Sequence, residues 1–389
     1  MKTLWLLASR RRATSRIARS VSLAACLGLA SAAGQAQPTA YAAGLSTPYK
    51  LDVTNRGALL VSEAGTAQND GELSRIDRGG AVWTLLGGLP SGVAITGGVS
   101  GPSGVDVYGC CIVHLLIGQG DALRFNGPPH EVPNPVPSVS PIFSSVLRLQ
   151  FDRPIDGVTD SFTLARADHN RLADGLTVRL ENAAGERLFV RMVADVKDFR
   201  PDPIVDHRGS NPYAVTHGSL LEGLLIADAG QNAIIQAGLF GPPKTLVRFP
   251  PVPNVSGVGP PVSDAVPTSI RHLHGTKYLV SLLTGIPYAS GGASVRLVDI
   301  HTGKQSTLIS GLTTVTDVLQ VDGKYYVLEI STDLLQQMPG RLLRLSSPTA
   351  KPEVVAAPII GGSGMVYVAK DRAIYIAENF TGRVVRVGL

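Results

Sequence analysis

The chain has 389 residues, of which 44% are hydrophobic and 17% charged, with 43 glycines and 27 prolines. That balance excludes a disordered chain and favours many short strands joined by many turns. The formal charge of +5 implies no nucleic-acid partner: Lys2, Arg10, Arg11, Arg12, Arg16 and Arg19 precede any acid, and without them 29 bases face 30 acids, a net of −1. No basic run with interleaved aromatics follows.

Residues 1–36 read as an export signal. A basic stretch ends at Arg19, an uncharged apolar stretch covers 21–33, and small-residue cleavage sites follow Ala32 and Ala36. The apolar stretch is too short to span a bilayer, which needs about 20 residues. Leu23-Ala-Ala-Cys26 matches a lipid-attachment box, but the apolar run continues past Cys26, so ordinary cleavage and a secreted or periplasmic chain are expected. Residues 37–46 read as a polar leader. Strands follow at 49–53, 58–62, 71–76 and 82–86, an antiparallel sheet of four.

A second repeat opens at Gly101. The adjacent Cys110 and Cys111 permit two readings: a vicinal disulfide, or two thiols on opposite faces of a strand over 110–116. A Pro-rich stretch at 126–141 reads as an exposed loop. An insertion over about 120–203 breaks the rhythm, with a hairpin expected at 177–180 and 187–191 and a helical turn at 193–199. It is placed either as a cap on the channel or as decoration. From Gly209 the repeats become regular, with second strands at 224–227, 277–281, 324–328 and 373–377.

One pattern recurs six times: a small residue, any residue, two mostly apolar residues, Arg or Gln, then an apolar residue. The copies begin at Gly71, Ser144, Asn232, Gly292, Gly340 and Gly382. The last three are spaced by 48 and 42 residues, near the length of one propeller blade. The expected fold is all-β: a six-bladed β-propeller of four-stranded antiparallel blades.

Four repeats end their second strand on an acid: Glu63, Asp228, Glu329 and Glu378. One acid per blade in equivalent register, with Arg or Gln in the next strand, reads as a repeated structural bond. The mouth of the axial channel is the expected ligand site. Asn211, Thr268 and Asp317 stand at the turns before the innermost strands, and their oxygens suit a hard cation such as Ca²⁺ or the turns themselves. The histidines (114, 130, 169, 207, 217, 272, 274 and 301) form no zinc motif, and no nucleophile elbow or phosphate loop is present.

The stretches at 209–213, 225–232, 266–269, 283–287 and 325–330 resemble the ScyD/ScyE family of exported propellers, named from the gene cluster for an extracellular indole-phenol pigment. More distantly the chain resembles NHL-repeat and gluconolactonase-type propellers. The resemblance implies six blades and an extracytoplasmic place, and it brings no established catalytic residues. The resulting expectation is a monomeric binding or scaffold propeller, accessory to envelope or secreted-metabolite processes, holding a small molecule or protein on one face. The alternatives are a metal-dependent lactonase using Asn211 and Asp317, and a quinone-cofactor dehydrogenase with the Cys110–Cys111 pair beneath the cofactor.

Overall fold

The structure, a computed structural model, describes residues 36–125, 131–134, 140–196, 199–202, 206–218, 223–238 and 241–389, without the side chains of 125, 199–202, 206 and 207. The export signal expected at 1–36, except Ala36, together with His130, the side chain of His207 and most of the Pro-rich loop, therefore lies outside the described residues.

Six mainly antiparallel sheets form the six blades of a β-propeller. Their innermost strands are Pro48–Val53, Pro102–Tyr108, Pro212–His217, Ala265–His274, Val315–Val321 and Gly362–Val368. Each packs on the next and the last packs on the first, so the strands form a closed ring. Two glycines permit this tight ring. A Cβ on Gly104 would lie 3.0 Å from the Val215 nitrogen in blade 3, and one on Gly364 would lie 2.8 Å from the Tyr49 oxygen in blade 1.

The six pattern copies fall in equivalent strands, the third of each blade: Gly71–Ile76, Ser145–Phe151, Ala233–Ala237, Ala293–Asp299, Gly340–Leu345 and Arg383–Gly388. The supposed leader is structural. Thr39–Ala43 is the outer strand of blade 6, with Thr39 opposite Arg386, because Arg383–Gly388 otherwise has an open edge.

The insertion is built into blade 2. Val178–Glu181 and Arg187–Asp195 are its two outer strands, the latter paired with Ser145–Phe151. The expected helical turn from 193 is a strand through Asp195, since pairing satisfies its backbone groups; the helix is Arg166–Ala173 instead. Phe162–Thr163 pairs in parallel with the outer strand of blade 1, Val82–Leu89, and so joins blades 1 and 2 at the rim. The strand expected at 110–116 begins at Ile112, leaving both cysteines in the preceding turn.

Alternation along the strands sends neighbouring residues to opposite sides of each blade. Leu60 packs toward blade 2, while Leu59 and Val61 pack toward blade 6. The result is one apolar cluster per blade interface. The cluster between blades 2 and 3 is the smallest among the described residues, with nine buried side chains, and that interface opens into a cleft.

Candidate functional site

Asp317 lies in the innermost strand of blade 5, and the cations it meets belong to the protein. Arg271 donates to both its oxygens, Nε at 3.1 Å and Nη2 at 2.6 Å, and Lys50 Nζ stands 3.9 Å away. Burial pushes the Asp317 carboxyl up, but Arg271 and Lys50 outweigh it and hold the group below its ordinary range. Lys50 also donates to the carbonyls of Thr316 and Ser363 and lies 4.9 Å from the Tyr213 ring. Burial lowers its pKa to about 8. These contacts join the innermost strands of blades 1, 3, 4, 5 and 6, so the axis is plugged by a polar network.

Thr268 lies within an innermost strand and donates to the Val315 carbonyl at 2.9 Å. Asn211 does stand at a turn. Its Oδ1 accepts from the Gln119 amide at 3.1 Å, and it lines a recess of about 170 Å³ with Tyr49 and Tyr213 on the face where these strands begin. Each oxygen expected to hold Ca²⁺ is thus engaged by a protein partner. Among the described residues no group of three or more His, Cys, Asp or Glu side chains is placed to hold a metal ion.

The four blade acids share one job. Glu63 accepts the amide of Ser46 at 2.5 Å, Asp228 that of Asn211 at 2.8 Å, Glu329 that of Thr313 at 2.7 Å and Glu378 that of Ile360 at 2.8 Å. Each amide belongs to the connection just before the innermost strand of the same blade. The carboxylate therefore clamps the inter-blade connection onto the second strand. Burial raises Glu63 to about 7 and also raises Asp228 and Glu329. Arg341 and Arg383, second residues of their pattern copies, complete two of these clamps.

The fifth residues of the pattern have other partners. Arg75 donates to Asp77 at 3.0 Å, covers Trp83 and reaches the Ile155 and Val158 carbonyls beyond its own blade. Arg296 donates to Thr307 at 2.6 Å, Arg344 to Glu353 at 2.6 Å and Arg386 to the Asp371 carbonyl at 3.1 Å. Arg148, at the same position in blade 2, has no such partner among the described residues.

Strand register explains the difference. Asp106 is opposite His114, His114 opposite Arg148, and Arg148 opposite Arg191. Residues directly opposite share a sheet face with Cα atoms about 5 Å apart, so these four form one polar row across blade 2. In blade 3, His217, Leu224 and Ala237 form the facing row. Between the rows lies a cleft of about 360 Å³ on the face where the innermost strands end, with Ile112 and Val193 adding apolar wall.

Asp106 ties the rows together. Its buried carboxylate meets Nδ1 of His114 at 3.3 Å and Nδ1 of His217 at 3.0 Å. Burial pushes Asp106 up, but the two imidazoles outweigh it and bring its pKa to about 2. The Asp106 hydrogen bond raises His217 in turn, against its partial burial. With both Nδ1 atoms engaged, the two Nε2 atoms are left for a ligand. Tyr108 packs edge-on against His217, ring centroids 5.0 Å apart. The exposed turn from Tyr108 to Ile112 holds Cys110 and Cys111, joined by a vicinal disulfide. The pair is flanked in sequence by Tyr108 and Ile112, which both line the cleft. His169 is buried between Ser140 and the Gly88 carbonyl, a packing role.

Sequence reasoning named His114 and His217 without pairing them and did not single out Asp106 or Arg191. The row depends on how the outer strands of blade 2 align, and no local motif encodes that alignment.

No protein-family profile matches the chain, and no curated protein matches it. Solved structures are similar in fold. A putative oxidoreductase (glucose dehydrogenase) from Thermus thermophilus aligns with a TM-score of 0.50 at 14% identity, over 90% of this chain and 99% of that one. A PQQ-bound aldose sugar dehydrogenase from Streptomyces coelicolor aligns at 0.46 and 12% identity, over 92% and 99%. Virginiamycin B lyase from Staphylococcus aureus aligns at 0.46 and 13%, over 88% and 95%. At such identities the likeness is one of fold, and function rests on the site.

Proposed function

We propose that this chain is an exported binding propeller of the ScyD/ScyE type that holds a small organic molecule in the cleft between blades 2 and 3. The observation that supports this most is the cleft itself. Its volume of about 360 Å³ falls in the range of about 300–1,000 Å³ usual for small-molecule sites. It sets a few convergent polar groups against apolar wall, the combination that fixes orientation and supplies affinity. The resemblance and the export signal expected from the sequence support an accessory role in envelope or secreted-metabolite processes. The metal-dependent lactonase reading draws no support from Asn211 and Asp317, because both are engaged by protein groups.

The test is a small-molecule library screened by native mass spectrometry against the wild-type chain and Val193→Trp. Val193 is half-buried on an outer strand, at the edge of the apolar cluster between blades 2 and 3, and lines the cleft, so the larger ring occupies cleft volume. A ligand retained by the wild type and lost by Val193→Trp is expected. A ligand held equally by both proteins would move the site elsewhere.

A further inference from the structure

The chain contains its own control for Arg148. Position five of the pattern carries arginine in five blades, and in blades 1, 4, 5 and 6 that guanidinium meets an acid, a hydroxyl or a carbonyl. Its cross-strand neighbour in the next strand outward is Trp83, Thr307, Glu353 or Thr39. In blade 2 that neighbour is Arg191. Like charges directly opposite on a sheet repel, and neither guanidinium has a carboxylate partner among the described residues. The arrangement gains nothing as blade structure. Both side chains line the cleft, beside the imidazole of His114 and across from that of His217. A negatively charged group between the two guanidiniums turns their repulsion into a pair of charge-assisted hydrogen bonds.

We infer that the cleft is a receptor for a small amphiphilic anion, whose doubly charged oxyanion group (a phosphoryl group or a pair of carboxylates) lies between Arg148 and Arg191. The apolar remainder rests on Ile112, Val193 and Leu224, and the Nε2 atoms of His114 and His217 serve polar atoms of the ligand. This inference rests on the cleft being the binding site and adds the class of molecule it takes.

The experiment uses the full folded chain with its disulfide intact and two probes, inorganic phosphate and malonate, titrated by calorimetry at low ionic strength. Binding of phosphate supports a phosphoryl ligand, and binding of malonate a dicarboxylate. Arg148→Gln and Arg191→Gln should each weaken the bound probe by about 10- to 100-fold, the loss of one charge-assisted contact. Arg344→Gln, whose partner is Glu353 on blade 5, should bind like the wild type. Without a probe, Arg148→Gln should melt no lower than the wild type, because it removes a repulsion. The inference is overturned if neither probe binds the wild type, if both arginine variants bind as the wild type does, or if Arg148→Gln is destabilised without a probe. A neutral library ligand displaced by Val193→Trp, with neither anion bound, would overturn the anion class and leave the cleft as a binding site. Probe binding undiminished in Val193→Trp would remove the cleft itself.

Discussion

Asp106 fixes two imidazoles with one carboxylate, and the energetics of the cleft follow from that choice. Its pKa of about 2 lies below the ordinary 3.8, so its contribution to stability is present above pH 3.8 and is lost as pH falls through about 2. The raised His217 behaves oppositely: its contribution is complete below the ordinary imidazole value and is lost as pH rises through the folded one. Asp106→Asn should therefore lower the titration midpoint of His217, read from its ring proton shifts in NMR. An unchanged midpoint would mean that another group holds the imidazole. Glu63 gives a second residue-scale prediction. Burial lifts it from 4.5 to about 7, so its favourable contribution is complete below pH 4.5 and is lost as pH rises through about 7. Glu63→Gln keeps an acceptor for the Ser46 amide and removes the titration. The Tm of the variant should fall less steeply over that interval than the wild-type Tm; equal slopes would assign the titration to other buried acids. The acid that ends the second strand in four of the six blades is legible in the sequence because the blades repeat. The pairing of Arg148 with Arg191 is not, because blade 2 alone carries the insertion that supplies Arg191.

Two connections differ in what they hold together: one clamps a blade, the other edges the cleft. The clamp by Glu378 gathers the Ile360 amide, the Thr381 hydroxyl and Arg383. Glu378→Ala leaves a buried donor unsatisfied and should lower stability by about 1–3 kcal/mol. Urea unfolding measures this, and a loss well under that range would make the clamp dispensable. The turn carrying Cys110 and Cys111 should respond differently. A bridge between adjacent residues closes no loop of chain, so the unfolded-state entropy it removes is small. The double variant Cys110→Ser, Cys111→Ser should keep its Tm near that of the wild type while amide exchange from Tyr108 to Ile112 quickens. A large fall in Tm would show that the bridge supports the fold and not the cleft edge. Third strands are readable from their pattern, and second strands from their terminal acids. The strand ending at Asp195 reads as partly helical from sequence because its partner, Ser145–Phe151, lies some forty residues back. Thr39–Ala43 reads as a leader because its partner lies at the other end of the chain.

The described propeller is a ring closed by its first and last strands. Thr39–Ala43 completes blade 6 against Arg383–Gly388, and Ala36 adds a bond from its amide to the Val355 carbonyl at 2.8 Å. Export with cleavage after Ala32 would keep Ala36, and N-terminal sequencing of the exported chain should find a start between Ala33 and Gln37. A lipid-modified start at Cys26 would refute that. The closing strand also has a timetable. The Thr39 hydroxyl bonds to the Arg386 carbonyl across 347 residues of sequence, and Leu389 itself donates to Arg372. The first strand therefore has no partner until residues 383–388 have been made. A chain that has lost only its last few residues has every other blade in hand and still has no partner for its beginning. Closure of blade 6, and not the formation of any earlier blade, is the step that joins the first strand to the last.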